Sequence, residues 1–149
     1  MASADKRRCI AASVANGGRL MVPHLTSEVL NADGQVVQRI APRLYDTVMS
    51  PSTAHEVGLM MENVVHDGTG TQAALAGITV AGKTGTAQDC ANLALPACQL
   101  SQVWFIAYAP VEHPRFAVAV TLPHQNGFGG TIAAPIAKAV LQALLGGGG

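Results

Sequence analysis

Residues 77–88 read Gly77-Ile78-Thr79-Val80-Ala81-Gly82-Lys83-Thr84-Gly85-Thr86-Ala87-Gln88. β-Branched residues precede Gly82 and small ones follow it, which predicts a strand over Ile78 to Ala87 that a ligand or another backbone approaches closely. Side chains alternate across a strand, so Thr84 and Thr86 share one face and Lys83 takes the other. A second pattern competes: Gly77 to Thr84 spells Gly-x4-Gly-Lys-Thr, the signature of a phosphate loop and a bound nucleotide. Such a loop needs a strand before its first glycine and a helix opening at the lysine. Here strand formers lie between the glycines, Gly85 follows Thr84 at once, and no apolar strand ending in a metal-binding Asp comes later. The strand reading is preferred.

Downstream, Val103 to Ala109 and Phe116 to Leu122 are continuously apolar, so both faces of these strands need cover, which helices would supply. Pro110 to Arg115 is short enough to join them as an antiparallel hairpin. Thr131 is expected to cap a last helix whose Ile132, Ile136, Val140, Ala143 and Leu144 form one stripe. Upstream, Ser50-Pro51 reads as a cap with proline at the first helical position, and Val57, Met60, Met61, Val64 and Val65 recur on one face of a helix to about His66. Met60 and Met61 are assigned to the core. Asp67 to Thr71 ends that helix, and Gln72 to Ala76 adds one short turn.

Earlier still, Met21 to Leu30 and Val36 to Ile40 are β-rich runs around Asn31-Ala32-Asp33-Gly34, whose Asp-Gly step suits a hairpin turn. Lys6 to Ala15 suits a helix of small residues, ended by Asn16-Gly17-Gly18. The order is helix, hairpin, helix, three strands, helix. It predicts an α/β (α+β) unit, an antiparallel sheet of about three strands packed with helices, plus a small β-hairpin.

With 149 residues, 49% of them hydrophobic, the chain has the size and the material of one domain. Nine Lys plus Arg balance nine Asp plus Glu, so there is no global field to recruit nucleic acid or an acidic membrane. No signal sequence is evident, and no apolar run reaches the roughly 20 residues of a spanning helix, so no membrane segment is expected. Three cysteines, Cys9, Cys90 and Cys98, are too few for a disulfide scaffold, and five scattered histidines show no zinc spacing; no metal or cofactor is expected. Cys9 reads as a small buried residue. The closing glycines 146–149 read as a flexible tail, and Met1 to Ser3 stand apart from the domain.

Several segments taken together carry a resemblance. Asp67-Gly68-Thr69-Gly70-Thr71, then Ala81-Gly82-Lys83-Thr84-Gly85-Thr86-Ala87-Gln88, then Trp104-Phe105-Ile106-Ala107-Tyr108-Ala109-Pro110 closely resemble, in order and spacing, the end of a class B penicillin-binding-protein transpeptidase domain. Ala15-Asn16-Gly17-Gly18 with Pro23, and Ala133-Ala134-Pro135-Ile136-Ala137, look like the same family, so the likeness runs over roughly residues 9 to 145. It implies that residues 1–145 are the carboxy-terminal portion of such a domain, with a partial penicillin-binding-protein/β-lactamase-like fold. The family combines a Ser-x-x-Lys nucleophile, a Ser-x-Asn type loop and Lys-Thr-Gly. Ser3-Ala4-Asp5-Lys6 meets the first pattern by chance, too close to Lys83 for the family's layout, and no Ser-x-Asn occurs.

The resemblance implies a parent serine D,D-transpeptidase that cross-links peptidoglycan, acts outside the cytoplasm and is anchored to the bacterial cytoplasmic membrane. Its ligands would be a stem peptide ending in D-Ala-D-Ala and the β-lactams that mimic it. Lys83 would assist proton transfer, the backbone N–H of Thr86 would form one arm of an oxyanion hole, and Thr84, Gly85 and Thr86 would bind substrate. Lacking a nucleophile, the chain could instead be a non-catalytic binding or scaffold fragment. An extracytoplasmic setting would allow a Cys90–Cys98 loop disulfide; two free thiols is the alternative. In the penicillin-binding fold two amino-terminal strands pair beside the strand corresponding to Phe116 to Leu122. The implied partner is therefore the missing amino-terminal half of the domain, or a second copy of this chain.

Overall fold

The computed structural model describes residues 4–88 and 100–146. Ser3, Cys90, Cys98 and the last three glycines lie outside the described residues, and with them the Ser-x-x-Lys match and the question of the disulfide.

Helix α1 (Ala4–Ala15) ends at Gly17 and Gly18, whose φ of 62° and 88° suit glycine in left-handed backbone. Four short strands follow: β1 (Arg19–Met21), β2 (Glu28–Leu30), β3 (Val36–Arg39) and β4 (Leu44–Thr47). β2 and β3 form the expected hairpin, with Gly34 at φ 78°. The run from Met21 to Leu30 is not one strand, however. Its first residue, Met21, ends β1, which pairs antiparallel with β4 in a separate two-stranded sheet.

Helix α2 (Pro51–His66) begins where the sequence places it, with the Ser50 hydroxyl accepting from the Thr53 N–H at 3.1 Å. Met61 and Val65 are buried, but Met60 is 59% exposed, so the methionine pair straddles the edge of the buried stripe. A 3-10 turn over Thr71–Ala73 follows.

The main sheet is antiparallel and three-stranded, in the order β5 (Ala81–Gln88), β6 (Ser101–Ala109), β7 (Phe116–Gln125). β5 starts later than expected because Gly77, at φ 73°, turns the chain, and Ile78 instead bridges back to Leu75. Helix α3 (Gly129–Gly146) lies on one sheet face, over Phe105, Ala107, Ala109 and Val118. α1 and α2 cover the other face, where Val14 and Met61 pack with Ala81 and Tyr108. Both faces of β6 are thus clad in helix, as its unbroken apolar run requires.

The face that α3 buries is not the expected one. Gly129, Gly130, Ala133, Ala134, Ala137 and Leu141 are buried, while Ile136, Val140 and Leu144 are 42%, 40% and 40% exposed. Small residues let the helix approach the sheet closely, and the large ones are left outward. Nor does Thr131 cap the helix, which starts two residues earlier; the Thr131 hydroxyl donates to the Phe128 carbonyl. By length and apolarity α3 matches a membrane-crossing helix; here its Ala133, Ala134, Ala137 and Leu141 face packs on the sheet.

Candidate functional site

Strand β5 is an edge. It pairs with β6 from Ala81 opposite Tyr108 to Gln88 opposite Ser101, and among the described residues its other side has no strand. Lys83 lies in mid-strand with no helix opening at it, so the phosphate-loop reading of Gly77 to Thr84 is overturned. Without converging loop amides there is no cradle for a phosphate.

Alternation sorts the motif as the sequence requires. Lys83 stands opposite Ile106 on the α1 side of the sheet, and Thr84 and Thr86 stand opposite Phe105 and Val103 on the α3 side. The Lys83 ammonium nevertheless returns to the open edge, donating to the Thr84 carbonyl at 3.0 Å and reaching its hydroxyl at 3.5 Å. In an antiparallel strand the N–H and C=O of alternate residues share one side. The Thr86 N–H therefore points to the same open edge as the Thr84 carbonyl. One strip of backbone brings together a cation, two hydroxyls and an N–H donor, a set suited to a carboxylate and to a developing oxyanion.

Neighbouring elements fix this strip. The Thr69 hydroxyl, in the turn after α2, lies 2.8 Å from that of Thr84. At the start of α3 the Gly129 N–H donates to the Thr86 hydroxyl at 3.4 Å. A Cβ on Gly129 would strike the backbone of Trp104 and Gly85, and one on Gly130 the Thr69 carbonyl, so the paired glycines let α3 seat directly on the motif. Phe128, 70% exposed, stands one residue from the Thr86 contact. Sequence reasoning assigned no site role to Thr69, Gly129 or Phe128. The Asp67 to Thr71 segment and the double glycine were the available signals for the first two.

Gly85 has a different reason from the one its motif suggests. On the α1 side a Cβ there would fall inside the Trp104 indole, so the residue makes room for a ring from within the fold. Gly82 likewise faces the Phe105 ring. Two surface clefts, one among α1, β1 and the start of β7 and the other under α2, contain none of Lys83 to Thr86. The candidate site is an open strand edge, which suits an extended ligand laid beside it.

A family model described as penicillin binding protein transpeptidase domain matches residues 9–142. The peptidoglycan D,D-transpeptidase PbpA of Mycolicibacterium smegmatis is 32% identical over 140 residues, covering 91% of this chain and 28% of that protein. The D,D-transpeptidase domain of a peptidoglycan glycosyltransferase from Eggerthella lenta superposes with a TM-score of 0.83 at 33% identity, over 99% of this chain and 33% of that one. Penicillin-binding protein A from M. tuberculosis, solved as its imipenem acyl-enzyme complex, gives a TM-score of 0.81 at 30% identity, over 97% of this chain and 31% of its own. The chain spans about a third or less of the length of these relatives.

Proposed function

The chain belongs to the penicillin-binding-protein transpeptidase family, and on that premise we propose that it is the substrate-binding, carboxy-terminal portion of a peptidoglycan D,D-transpeptidase. The observation that carries this reading is the β5 edge, where the Lys83 ammonium, the Thr84 and Thr86 hydroxyls and the Thr86 N–H converge on one open strip. A stem peptide ending in D-Ala-D-Ala lies along this edge as an added strand, its terminal carboxylate met by the hydroxyls and the cation. β-Lactams take the same place.

In the complete reaction an active-site serine attacks the penultimate D-Ala carbonyl, and the terminal D-Ala leaves with a proton. An amine of a neighbouring strand then displaces the serine. Lys83 raises the positive potential where the serine proton is transferred, and the Thr86 N–H stabilises the tetrahedral oxyanion. The reaction belongs outside the cytoplasm, where peptidoglycan is assembled, with the parent anchored to the membrane. The serine and the Ser-x-Asn loop come from the amino-terminal half of the domain, which is the partner this surface fits.

A second reading, a binding or scaffold module without chemistry, is favoured by one observation: the sequence holds a single Ser-x-x-Lys, at Ser3 to Lys6, and no Ser-x-Asn. Titrating the isotope-labelled chain with an acyl-D-Ala-D-Ala peptide tests the feature that both readings share. Amide shifts concentrated at Lys83 to Thr86 are expected. Shifts that are absent there at millimolar peptide, or that cluster elsewhere, defeat the assignment of the site.

A further inference from the structure

Arg7 sits in the first turns of α1 and is 8% exposed. Its guanidinium carbon lies 4.0 Å from the centroid of the Trp104 ring, Nη1 donates to the Thr121 hydroxyl at 3.0 Å, and Nη2 reaches the Gln102 side-chain oxygen at 3.5 Å. Among the described residues no carboxylate pairs with it; the neighbouring Arg8 is the one that meets Asp5. A buried cation held by neutral oxygens and an aromatic face is costly to bury, and its geometry is set by the ring and by the two acceptors.

Those partners form a line across the sheet. Thr121 of β7 is directly opposite Trp104 of β6, and Trp104 is directly opposite Gly85 of β5. The indole reaches over Gly85 and fills the space of its missing side chain. Arg7 thus fixes one side of the ring while Gly85 receives the other, and Gly85 stands between Thr84 and Thr86. A tilt of the indole would press on the backbone of the strand whose edge donates to the ligand.

We propose that Arg7 is a positioning residue for the site: by clamping the Trp104 indole onto Gly85 it holds β5 in the conformation that presents Lys83, Thr84 and the Thr86 N–H. The relevance to ligand rests on the function proposed above. The clamp itself rests only on the contacts of Arg7, Trp104 and Gly85.

The test uses the full chain and the variants Arg7→Met, Arg7→Lys and Arg8→Met. In the wild type the Gly85 Hα protons, beside the Trp104 indole, are expected to carry a ring-current shift that the other glycines lack. Arg7→Met should collapse that shift and raise amide exchange at Lys83 and Gly85, the motif residues whose amides face β6, by roughly tenfold relative to Val118 to Val120 in the same sample. Arg7→Lys, which keeps the charge over the ring, should restore part of both effects, and Arg8→Met should change neither. Exchange that rises equally over all three strands, or a Gly85 shift unaltered in Arg7→Met, overturns the proposal. If the methionine variant does not fold, the same comparison in Arg7→Lys decides, a local change supporting the clamp and a uniform or absent one overturning it. An acyl-D-Ala-D-Ala titration of the wild type separates the two readings. Failure to bind the peptide counts against the function, whereas the exchange and shift data stand or fall on the clamp alone.

Discussion

The hydroxyls of Thr69 and Thr84 lie 2.8 Å apart and link the turn after α2 to the face of β5 that α3 covers. Both are solvent-accessible, so either can exchange this bond for water at small cost. Thr84→Val should therefore lower stability by less than about 1 kcal/mol while weakening peptide binding at the edge. Urea denaturation beside a peptide titration would check this. A stability loss well above that bound would mean that the pair is a structural anchor and not a surface feature of the site.

Gly85→Ala should be far more disruptive, because the new methyl would occupy the place of the Trp104 ring and the opposite side of the strand is held by Gly129. Overpacking of this kind costs about 1–3 kcal/mol. Trp104 is the single tryptophan, so its emission reports the displaced ring without interference. Gly146→Ala, in open space at the end of α3, is the neutral control. Unchanged emission and an unchanged urea midpoint in Gly85→Ala would show that the ring yields freely.

What the sequence made legible was the part governed by unbroken patterns. Val103 to Ala109 and Phe116 to Leu122 read as strands covered on both faces, Ser50-Pro51 as the opening of a helix, and Asp33-Gly34 as a hairpin turn. The β1–β4 pair was hidden because its three- and four-residue strands are largely exposed and lie far apart in the chain. α3 misled for a physical reason: Gly129 and Gly130 seat its start against the backbone of Gly85, Trp104 and Thr69, and Ala133 and Ala137 pack with Phe105 and Ala107, so its bulkier residues turned outward. The motif face at Lys83 to Thr86 was readable from alternation alone. The role of Arg7 was not, since a basic residue in Lys6-Arg7-Arg8 reads as solvated until the Trp104 ring is seen above it.

Tyr108 makes alkaline stability a local probe. Burial, and secondarily the charge of Glu62, pushes its phenol above the ordinary tyrosine range near 10. The fold therefore prefers the neutral phenol. Its contribution is complete below the unfolded value and is lost as pH rises through the folded one. Tyr108→Phe keeps the ring in the cluster with Val14, Met61 and Ala81 and should flatten the fall in urea midpoint above about pH 10. Parallel curves for the two proteins would show that Tyr108 does not govern that limb.

Incubated with benzylpenicillin, this chain should form no stable acyl-enzyme. An acyl-transfer site without its serine and base retains only binding and oxyanion stabilisation, neither of which makes a covalent bond. Intact-mass spectrometry decides the matter. A stoichiometric adduct on Ser3, or on any other serine, would mean that the Ser3 to Lys6 match is a working nucleophile and that the binding-module reading is wrong.

The chain should self-associate through β7. Among the described residues β7 pairs only with β6, so its outer side carries a row of N–H and C=O groups without a strand partner. Phe116, Val120 and Leu122 are only partly buried, and no charged residue falls between Phe116 and Leu122 to blunt the edge. Such an edge is a template for another strand. The outward Ile136, Val140 and Leu144 stripe of α3 offers a second apolar surface, one that would associate by burial without strand pairing. Sedimentation velocity over a concentration series distinguishes them. Association that survives Val140→Glu is strand pairing and is the expected result. Association abolished by Val140→Glu would assign the interface to the helix, and a clean monomer at high concentration would show that β7 is covered from within the chain.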